Sequence, residues 1–336
     1  MEKKISYEDI IFLSGSSGMA GSAILRSLKK AGYGNEKNLG KILTPRRKDL
    51  DLLNNVEVEK WFKKNKPTIV IIAAAKVGGI YANMSKPGEF ILENLKIQTN
   101  IIENAFKFGV KRLLFLGSSC IYPKFAEQPI NEEELLKGEL EATNQWYAIA
   151  KIAGIKLCES FREQYNFDAI SLMPTNLYGP GDNYDSKSSH VFAALIKKFC
   201  DAKNNNLGSV NCWGTGKPFR EFMHVDDLGR AAVYVLENWD PNSKEAPTDN
   251  KGKSLSYLNV GTGKDISIKS LAELIAKKLN FKGEIIWDTS IPDGTPKKLL
   301  NVSRINSLGW EAKIDLNSGI ERTIIDYQKN ANLLQI

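Results

Sequence analysis

A tyrosine and a lysine four residues apart, Tyr147 and Lys151, stand at the start of a predicted helix. Residues at this spacing share one helix face, so the ammonium can favour the ionised form of the tyrosine hydroxyl. Ser118 follows a predicted strand, residues 111–117, at the sheet edge where ligands of parallel sheets bind. The three side chains together suit hydride transfer at a carbonyl: tyrosine moves the proton, serine polarises the oxygen, and lysine steadies tyrosine and a cofactor ribose. A lone Tyr-x-x-x-Lys also occurs by chance on a helix face.

A glycine-rich loop follows the first predicted strand and opens the first predicted helix. Its sequence is Gly15-Ser16-Ser17-Gly18-Met19-Ala20-Gly21. Glycines allow a tight turn and close backbone approach, and a helix N-terminus offers free N–H groups to a pyrophosphate. A plain strand–helix turn is the alternative. The position of the loop at the first such junction favours a dinucleotide site.

The second predicted strand ends in a basic cluster that contains Arg46 and Arg47. A site for NAD usually has an acidic residue there to hold the ribose 2′-hydroxyl. Arginines suit a 2′-phosphate instead, so the sequence favours NADP(H). A solvated turn is the alternative reading of the cluster.

Strand and helix patterns alternate through the first half of the chain. Residues 68–75 are apolar almost throughout, which is typical of a strand covered on both faces of a parallel sheet. The pattern predicts an α/β fold, a Rossmann-type doubly wound parallel sheet. We expect residues 1–175 to form an NADP-binding domain, to which about 222–238 return, and residues 176–336 to form a smaller α+β substrate-binding lobe.

The composition limits the classes of partner. The 336 residues carry a net charge of +7, but without a basic run, which favours a phosphate-bearing small molecule over nucleic acid. No apolar stretch is long enough to predict a membrane span. The first apolar run leads straight into the glycine loop and is interpreted as a strand, not a signal peptide, which predicts a cytoplasmic protein. The four cysteines form no C-x-x-C pair, and we expect no metal site.

Together, the glycine loop, Ser118 and the Tyr147/Lys151 pair resemble the extended short-chain dehydrogenase/reductase family. Several segments, covering nearly the whole chain, are similar to its GDP-L-fucose synthases: residues 73–80, 116–123, 173–180 and 292–296. The resemblance implies epimerisation at C3 and C5 of a GDP-linked 4-keto-6-deoxy sugar, followed by NADPH-dependent reduction at C4. The cofactor contacts that it implies, beyond residues 15–21, Arg46, Arg47, Ser118 and Lys151, are Leu116, Gly117, Ser119, Pro174, Thr175, Asn176, Leu177 and His190.

Two further residues resemble the family's proton-transfer groups. Cys120, two residues beyond Ser118, resembles the base that removes a proton beside the ketone, and a nearby positive charge makes a thiolate accessible. His190 resembles the acid that returns a proton, which suits a group that titrates near neutrality. The alternatives are a small buried thiol and a helix N-terminal residue. The other histidine, His224, is interpreted as structural.

Five residues are candidate substrate contacts. Lys198, Arg220 and Lys298 can pair with the two phosphates of GDP, Trp213 can pack against the nucleotide, and Asp293 can hold a sugar or ribose hydroxyl. All but Lys298 also match substrate contacts of the family. A surface charge or a core aromatic is the alternative for each.

Other readings stay open at this stage. A UDP-sugar 4-epimerase would lack the Cys120/His190 pair, and a 4,6-dehydratase would carry an acidic pair in place of Ser119 and Cys120. A non-catalytic NADP-sensing protein would lose Tyr147 or Lys151. We also expect a homodimer, paired through the long helical segments 90–108 and 146–165.

Overall fold

The computed structural model describes residues 3–35, 37, 39–185, 188–291 and 293–333. The first half of the chain contains β1 (Ile10–Ser14), α1 (Met19–Lys30), β2 (Lys41–Leu43), α2 (Asn55–Asn65), β3 (Ile69–Ile72), α3 (Ile80–Ser85), α4 (Pro87–Lys107), β4 (Arg112–Leu116), α5 (Gln145–Tyr165) and β5 (Ala169–Pro174). The second half contains β6 (Asn176–Tyr178), α6 (Val191–Asn204), β7 (Ser209–Trp213), β8 (Phe219–His224), α7 (Val225–Asn238), β9 (Tyr257–Val260), β10 (Asp265–Ser267), α8 (Ile268–Lys278), β11 (Glu284–Asp288), β12 (Lys297–Lys298), α9 (Ser303–Ser307) and α10 (Leu316–Leu333).

Six parallel strands form the main sheet, in the order β2-β1-β3-β4-β5-β9. Every residue of β3, β4 and β5 is buried, because helices cover both faces of the sheet. The predicted fold class is therefore confirmed. The parallel arrangement brings the carboxyl ends of β1, β3, β4 and β5 to one edge, and Ser118 lies two residues past the end of β4.

The helices and strands predicted in the first half are present, with shifted ends. Helix α4 begins at Pro87, ahead of the predicted start, because proline is favourable in the first turn of a helix. The second strand, which the pattern predicts over residues 39–44, is shorter in the structure, and Leu39 is exposed outside β2. The short helix α3 was not predicted.

The second half builds a smaller layer with its own apolar cluster, in which α6, α8 and α10 pack together. Strands β10, β8 and β12 form one small sheet, with β6 also paired to β8, and β7 pairs with β11. Two elements of this half lie with the main sheet instead: α7 packs against α1, and β9 pairs with β5. The domain boundary between residues 175 and 176 stays a prediction.

The helices in the described part of the chain include none that is long and apolar enough to cross a membrane.

Candidate active site

The glycine loop turns tightly between β1 and α1. Gly15 has a φ of 78°, and a Cβ there would lie 2.6 Å from the Ala74 backbone nitrogen. A Cβ at Gly21 would lie 2.1 Å from the Gly15 carbonyl oxygen. A Cβ at Gly18 would meet nothing nearer than the Gly15 oxygen at 3.5 Å. The fold thus requires glycine at positions 15 and 21, whereas Gly18 has open space beside it.

That open space lies at the N-terminus of α1. Gly18 is the N-cap residue, so no side chain caps the first turn of the helix. Its free N–H groups and the helix dipole suit a phosphate group. The loop therefore fits the pyrophosphate of a dinucleotide, as the sequence predicts.

Tyr147 and Lys151 lie on α5 beside the end of β4. Ser118 lies close enough to the Tyr147 hydroxyl to act on its pKa, which it lowers. The Lys151 ammonium donates to the Leu116 carbonyl oxygen over 2.8 Å and lies 4.7 Å from the centre of the Phe115 ring. The fold thus brings Ser118, Tyr147 and Lys151 to one place at the carboxyl edge of the sheet.

Burial shifts the pKa values of this group in opposite directions. It raises the pKa of Tyr147 well above its usual range, and the nearby Cys120 raises it further. Desolvation lowers the pKa of Lys151 to about 7, and no carboxylate offsets it. At neutral pH Tyr147 is therefore protonated and can act as an acid. The Lys151 amine is partly charged and partly neutral at the same pH.

Cys120 lies in the short 3₁₀ turn Ser119–Ile121, whose first residue follows Ser118. The Ser118 hydroxyl accepts from the Cys120 backbone N–H over 3.2 Å. Cys120 is partly exposed, whereas the other three cysteines are buried. Burial lowers the pKa of Arg220, and Cys120 and Asp293 oppose that shift. Cys120 therefore lies within electrostatic reach of both Tyr147 and Arg220.

His190 is the exposed N-cap residue of α6. The protein around it partly desolvates the imidazole and lowers its pKa, which favours the neutral form at pH 7. The segment before it packs on the loop after β3: the Gly79 N–H donates to the Ser188 carbonyl oxygen over 2.8 Å. This contact holds the start of α6 beside the loop that leaves the carboxyl edge of the sheet. Residues 186 and 187 lie outside the described part of the chain.

The five candidate substrate contacts lie in adjoining groups on the smaller layer, which the second half of the chain builds. The Lys198 ammonium lies 4.9 Å from the Trp213 ring centre and donates to the Asn211 carbonyl oxygen over 2.8 Å. Arg220 and Lys298 are register partners on β8 and β12. These contacts place Lys198 beside Trp213, and Arg220 beside Lys298.

Asp293 is held by a threonine on a neighbouring turn. The Thr215 hydroxyl donates to its carboxylate over 2.6 Å and the Thr215 N–H over 2.9 Å, and these hydrogen bonds lower the pKa of Asp293. A Cβ at Gly294, the next residue, would lie 3.3 Å from an Arg220 nitrogen, so this loop runs past the arginine. Pro292, in the same predicted loop, lies outside the described residues.

The two arginines after β2 are exposed. The Arg46 Nε lies 3.6 Å from the Asp49 carboxylate, and each residue's backbone N–H bonds to the other, so a small turn is formed. An exposed pair of this kind contributes little to stability. Arg46 can therefore exchange Asp49 for an incoming phosphate.

The remaining predicted cofactor residues lie along strand ends at the carboxyl edge. Thr175 and Asn176 each donate from their side chains to the Glu221 carbonyl oxygen, over 3.2 Å and 2.8 Å. Ser119 is buried, and the Gly117 N–H donates to the Leu172 carbonyl oxygen over 2.8 Å. Leu116 and Pro174 end their strands, and Leu177 lies on β6. These residues therefore lie at or just beyond strand ends on the carboxyl edge, where the sequence predicts the cofactor.

His224 is buried, and its Nδ1 accepts from the Asp226 N–H over 3.2 Å at the start of α7. It thus has a structural position away from the cluster at Ser118. Within the described residues, no group of three His, Cys, Asp or Glu side chains could hold a metal ion.

Sequence reasoning missed the buried residues beneath the site, above all Tyr122 and Asn259. Tyr122 ends the 3₁₀ turn that carries Cys120, and its hydroxyl donates to the Asn259 side-chain oxygen over 2.6 Å. The available signal was the glycine-rich turn at Gly261 and Gly263, directly after an apolar run. Such a turn marks the end of a further strand at the same edge of the sheet.

Comparison with known proteins agrees with this geometry. Residues 11–247 match the model of the NAD dependent epimerase/dehydratase family. The chain is 49% identical over 320 residues to GDP-L-fucose synthase 1 of Arabidopsis thaliana, covering 95% of this chain and 93% of that protein. It is 48% identical over 313 residues to the GDP-L-fucose synthase of Escherichia coli strain K12, covering 93% and 94%.

A solved structure is similar over nearly the whole fold. A GDP-mannoheptose C4 reductase from Campylobacter jejuni with NADP bound superposes with a TM-score of 0.84 at 38% identity, covering 96% of this chain and 99% of that one.

Proposed function

The chain belongs to the NAD dependent epimerase/dehydratase family, and within it we propose that it converts GDP-4-keto-6-deoxy-D-mannose into GDP-L-fucose. The reaction inverts C3 and C5 and then reduces C4 with NADPH. Relatives named GDP-L-fucose synthase, 48% and 49% identical over almost the full chain, confirm the resemblance that the motifs indicate. The observation that carries the proposal is the gathering of Cys120 with Ser118 and Tyr147 at one sheet edge.

Epimerisation needs a base and an acid beside a ketone. The C4 carbonyl acidifies the C–H bonds at C3 and C5, and Cys120 as a thiolate takes a proton from each in turn. The charge moves onto the C4 oxygen, where hydrogen bonds from Ser118 and Tyr147 stabilise it. His190, in its protonated form, then delivers a proton to the opposite face of the carbon, so the configuration inverts. Before the second carbon reacts, Cys120 loses its proton to solvent and His190 takes one up. Arg220 lies within electrostatic reach of Cys120.

Reduction at C4 uses the same oxygen and a different proton donor. NADPH, when bound, supplies the hydride to C4. Tyr147 gives its hydroxyl proton to the C4 oxygen, to which Ser118 also donates a hydrogen bond. Lys151 stabilises the tyrosinate that is left and binds the nicotinamide ribose. Lys151 is buried and Tyr147 is half-buried beside it, so this step is partly shielded from bulk water.

The cofactor binds along the glycine loop and the strand ends. The open N-terminus of α1 at Gly18 takes the pyrophosphate. Arg46 and Arg47, at the end of β2, hold the 2′-phosphate that distinguishes NADP from NAD. The NADP in the similar Campylobacter jejuni reductase supports this choice.

The GDP part of the substrate lies against the second layer. Arg220 and Lys298, neighbours on β8 and β12, pair with the diphosphate, and Lys198 adds a third positive charge. Trp213 is 62% exposed, an unusual position for so large an apolar ring, and offers a face for the base. Asp293 keeps a carboxylate near the sugar, oriented by Thr215.

The enzyme works as a homodimer in the cytoplasm. Helices α4 and α5 pack against each other and present Leu92, Trp146 and Ile149, all partly exposed, on their outer faces. Such apolar side chains suit an interface between two copies. All four cysteines are free, which suits a reducing compartment.

One rival function has specific support, namely reduction at C4 without epimerisation. The similar Campylobacter jejuni structure is a C4 reductase of a GDP-sugar. The presence of Cys120 at the sheet edge, beside the Ser118–Tyr147 pair, favours the epimerising enzyme.

The test is incubation of the chain with NADPH and GDP-4-keto-6-deoxy-D-mannose. NADPH consumption is followed by absorbance, and the product is identified by NMR. We expect stoichiometric oxidation of NADPH and a product with C3 and C5 inverted. A product that keeps both configurations identifies a plain C4 reductase, and tight NADPH binding without oxidation identifies a non-catalytic sensor.

A further inference from the structure

A buried hydrogen-bonded network lies directly behind the turn that carries Ser118 and Cys120. Tyr122 ends that turn, and its hydroxyl donates to the Asn259 Oδ1 over 2.6 Å. The two residues are 1% and 0% exposed. A buried hydroxyl with one short partner fixes the position of its ring, and through it the backbone of the turn.

Every polar atom of the Asn259 side chain makes a hydrogen bond. Its Nδ2 donates to the Ile130 carbonyl oxygen over 2.9 Å and to the Asn301 carbonyl oxygen over 3.2 Å. Its backbone N–H donates to the buried Glu132 carboxylate over 2.9 Å. Because both amide hydrogens are used, Oδ1 can only accept, and the Tyr122 hydroxyl must be the donor.

The same network reaches the strands that carry the diphosphate contacts. Asn301 follows β12, on which Lys298 lies. Between them, the Leu300 N–H donates to the Glu221 carboxylate over 2.9 Å. Glu221 follows Arg220 on β8 and also accepts from the Gly263 N–H, beyond the end of β9, over 2.8 Å. The network therefore joins the catalytic turn to the region where the phosphates bind.

We propose that Tyr122 and Asn259 are positioning residues that fix the Ser118–Cys120 turn relative to Arg220 and Lys298. The inference rests on the proposed function, because it concerns the placement of that reaction's base and oxyanion donor. Proton transfer from carbon needs the base close to the C–H bond and in line with it, so a small displacement of the turn costs rate more than binding.

The test is Tyr122→Phe, which removes one hydroxyl and leaves the ring. Tyr33→Phe is the matched control, because Tyr33 is also buried and its hydroxyl donates over 2.8 Å to Glu237, outside the site. We expect Tyr122→Phe to lower kcat for epimerisation and reduction by about tenfold to a hundredfold, with KM for the GDP-sugar within about threefold. Tyr33→Phe is expected to keep both constants.

A second measurement does not depend on the substrate. Cys120 is the one cysteine that is not buried, so its alkylation by iodoacetamide in the folded protein reports the placement of the turn. We expect Tyr122→Phe to change that rate by about threefold or more, and Tyr33→Phe to leave it unchanged. Asn259→Asp, which keeps the acceptor but loses the two amide donors, is expected to behave like Tyr122→Phe.

The two readouts separate the possible failures. If the wild type does not convert the GDP-sugar, the proposed function is wrong, and the alkylation rates still decide the positioning role. If Tyr122→Phe only lowers the melting temperature, as Tyr33→Phe does, and leaves kcat and alkylation at wild-type values, the network is merely structural and the inference is overturned.

Discussion

At the scale of single residues, the proposed chemistry falls to two sets of side chains. We propose that Cys120 and His190 move protons at carbon, and that Tyr147 and Lys151 serve the reduction of the C4 carbonyl. Ser118 belongs to both sets, because it lies beside Tyr147, whose pKa it lowers, and accepts from the Cys120 backbone N–H. The shared C4 oxygen explains why both reactions can take place in one site.

Tyr147→Phe removes the proposed proton donor with little change in shape. We expect hydride transfer to fall by about two to four orders of magnitude, because the C4 oxygen loses its acid. The dissociation constant of NADPH is expected to stay within about twofold, since the hydroxyl acts on the carbonyl and not on the cofactor phosphates. Single-turnover absorbance and fluorescence titration measure the two quantities. A rate within about threefold of wild type would contradict the role of Tyr147.

Lys151 makes stability depend on pH. Its pKa is lowered by burial from 10.5 to about 7, so between these pH values the unfolded chain binds the proton and the folded protein does not. Stability therefore rises with pH across this window, and the cost of burying the charge is fully present below it. We expect Lys151→Met, without ligand, to be more stable than wild type at pH 6 by about a few kcal/mol, with the gain shrinking towards pH 10.

Denaturant unfolding of both proteins from pH 6 to pH 10 measures this difference. A gap that stays constant over the whole range would show that Lys151 does not titrate in the folded protein as described.

At the scale of elements, the strand ends and the loops after them decide the site. The glycine loop follows β1, the catalytic turn follows β4, and the basic pair follows β2. Because the strands are parallel, loops far apart in sequence meet at one edge. The helix that follows a loop then supplies a side chain, as α5 supplies Tyr147, or an open N-terminus, as α1 does at Gly18.

Substitutions in the glycine loop can separate its role in folding from its role in cofactor binding. We expect Gly18→Ala to cost about 1 kcal/mol of stability or less, because its Cβ meets only ordinary contacts, and to weaken NADPH binding by about tenfold or more. Gly15→Ala, at a φ of 78° and against the Ala74 backbone, is expected to cost several times more stability. Calorimetric titration and thermal unfolding measure both variants. Unchanged NADPH affinity in Gly18→Ala would argue against a pyrophosphate at this loop.

The sequence predicts these elements well wherever local signals exist. The apolar run of β3, the glycine loop and the Tyr147–Lys151 spacing each reflect a rule that acts within a few residues. Contacts between residues that are far apart in the sequence leave no such local signal. The hydrogen bond between Tyr122 and Asn259 joins residues 137 positions apart. Strand β8 carries Arg220, a residue of the candidate site, directly before Glu221, whose carboxylate is buried. Only the folded arrangement of the second layer shows what these residues contact.

At the scale of the whole molecule, two layers meet over the carboxyl edge of the main sheet. The larger layer carries the glycine loop, Ser118, Tyr147 and Lys151, and the smaller one carries Arg220 and Lys298, the proposed diphosphate contacts. Glu221 links them: it lies on β8 and accepts from backbone N–H groups that follow β9 and β12. A substrate that spans both layers places its sugar beside Cys120 and Tyr147.

The proposed homodimer concerns the whole molecule and can be tested separately. We expect the wild type to have twice the 37.5 kDa mass of one chain, and the double variant Leu92→Glu with Ile149→Glu to be monomeric, because charges would replace apolar contacts on α4 and α5. Val56→Glu, at an exposed apolar position on α2, is the control and is expected to stay dimeric. Light scattering measures the mass, and a double variant that remains dimeric would place the interface elsewhere.

Hydrogen exchange at C3 and C5 of the GDP-ketosugar in deuterium oxide tests directly whether Cys120 is the base. The measurement uses NMR with oxidised cofactor, so that reduction cannot follow. Cys158→Ser is the matched control, because it makes the same change at a buried cysteine whose neighbour Ser171 can bond the new hydroxyl. If Cys120 is the base, the wild type and Cys158→Ser exchange both positions, and Cys120→Ser is slower by about a hundredfold or more while still binding NADPH. Exchange by Cys120→Ser at the wild-type rate would show that Cys120 is not the base.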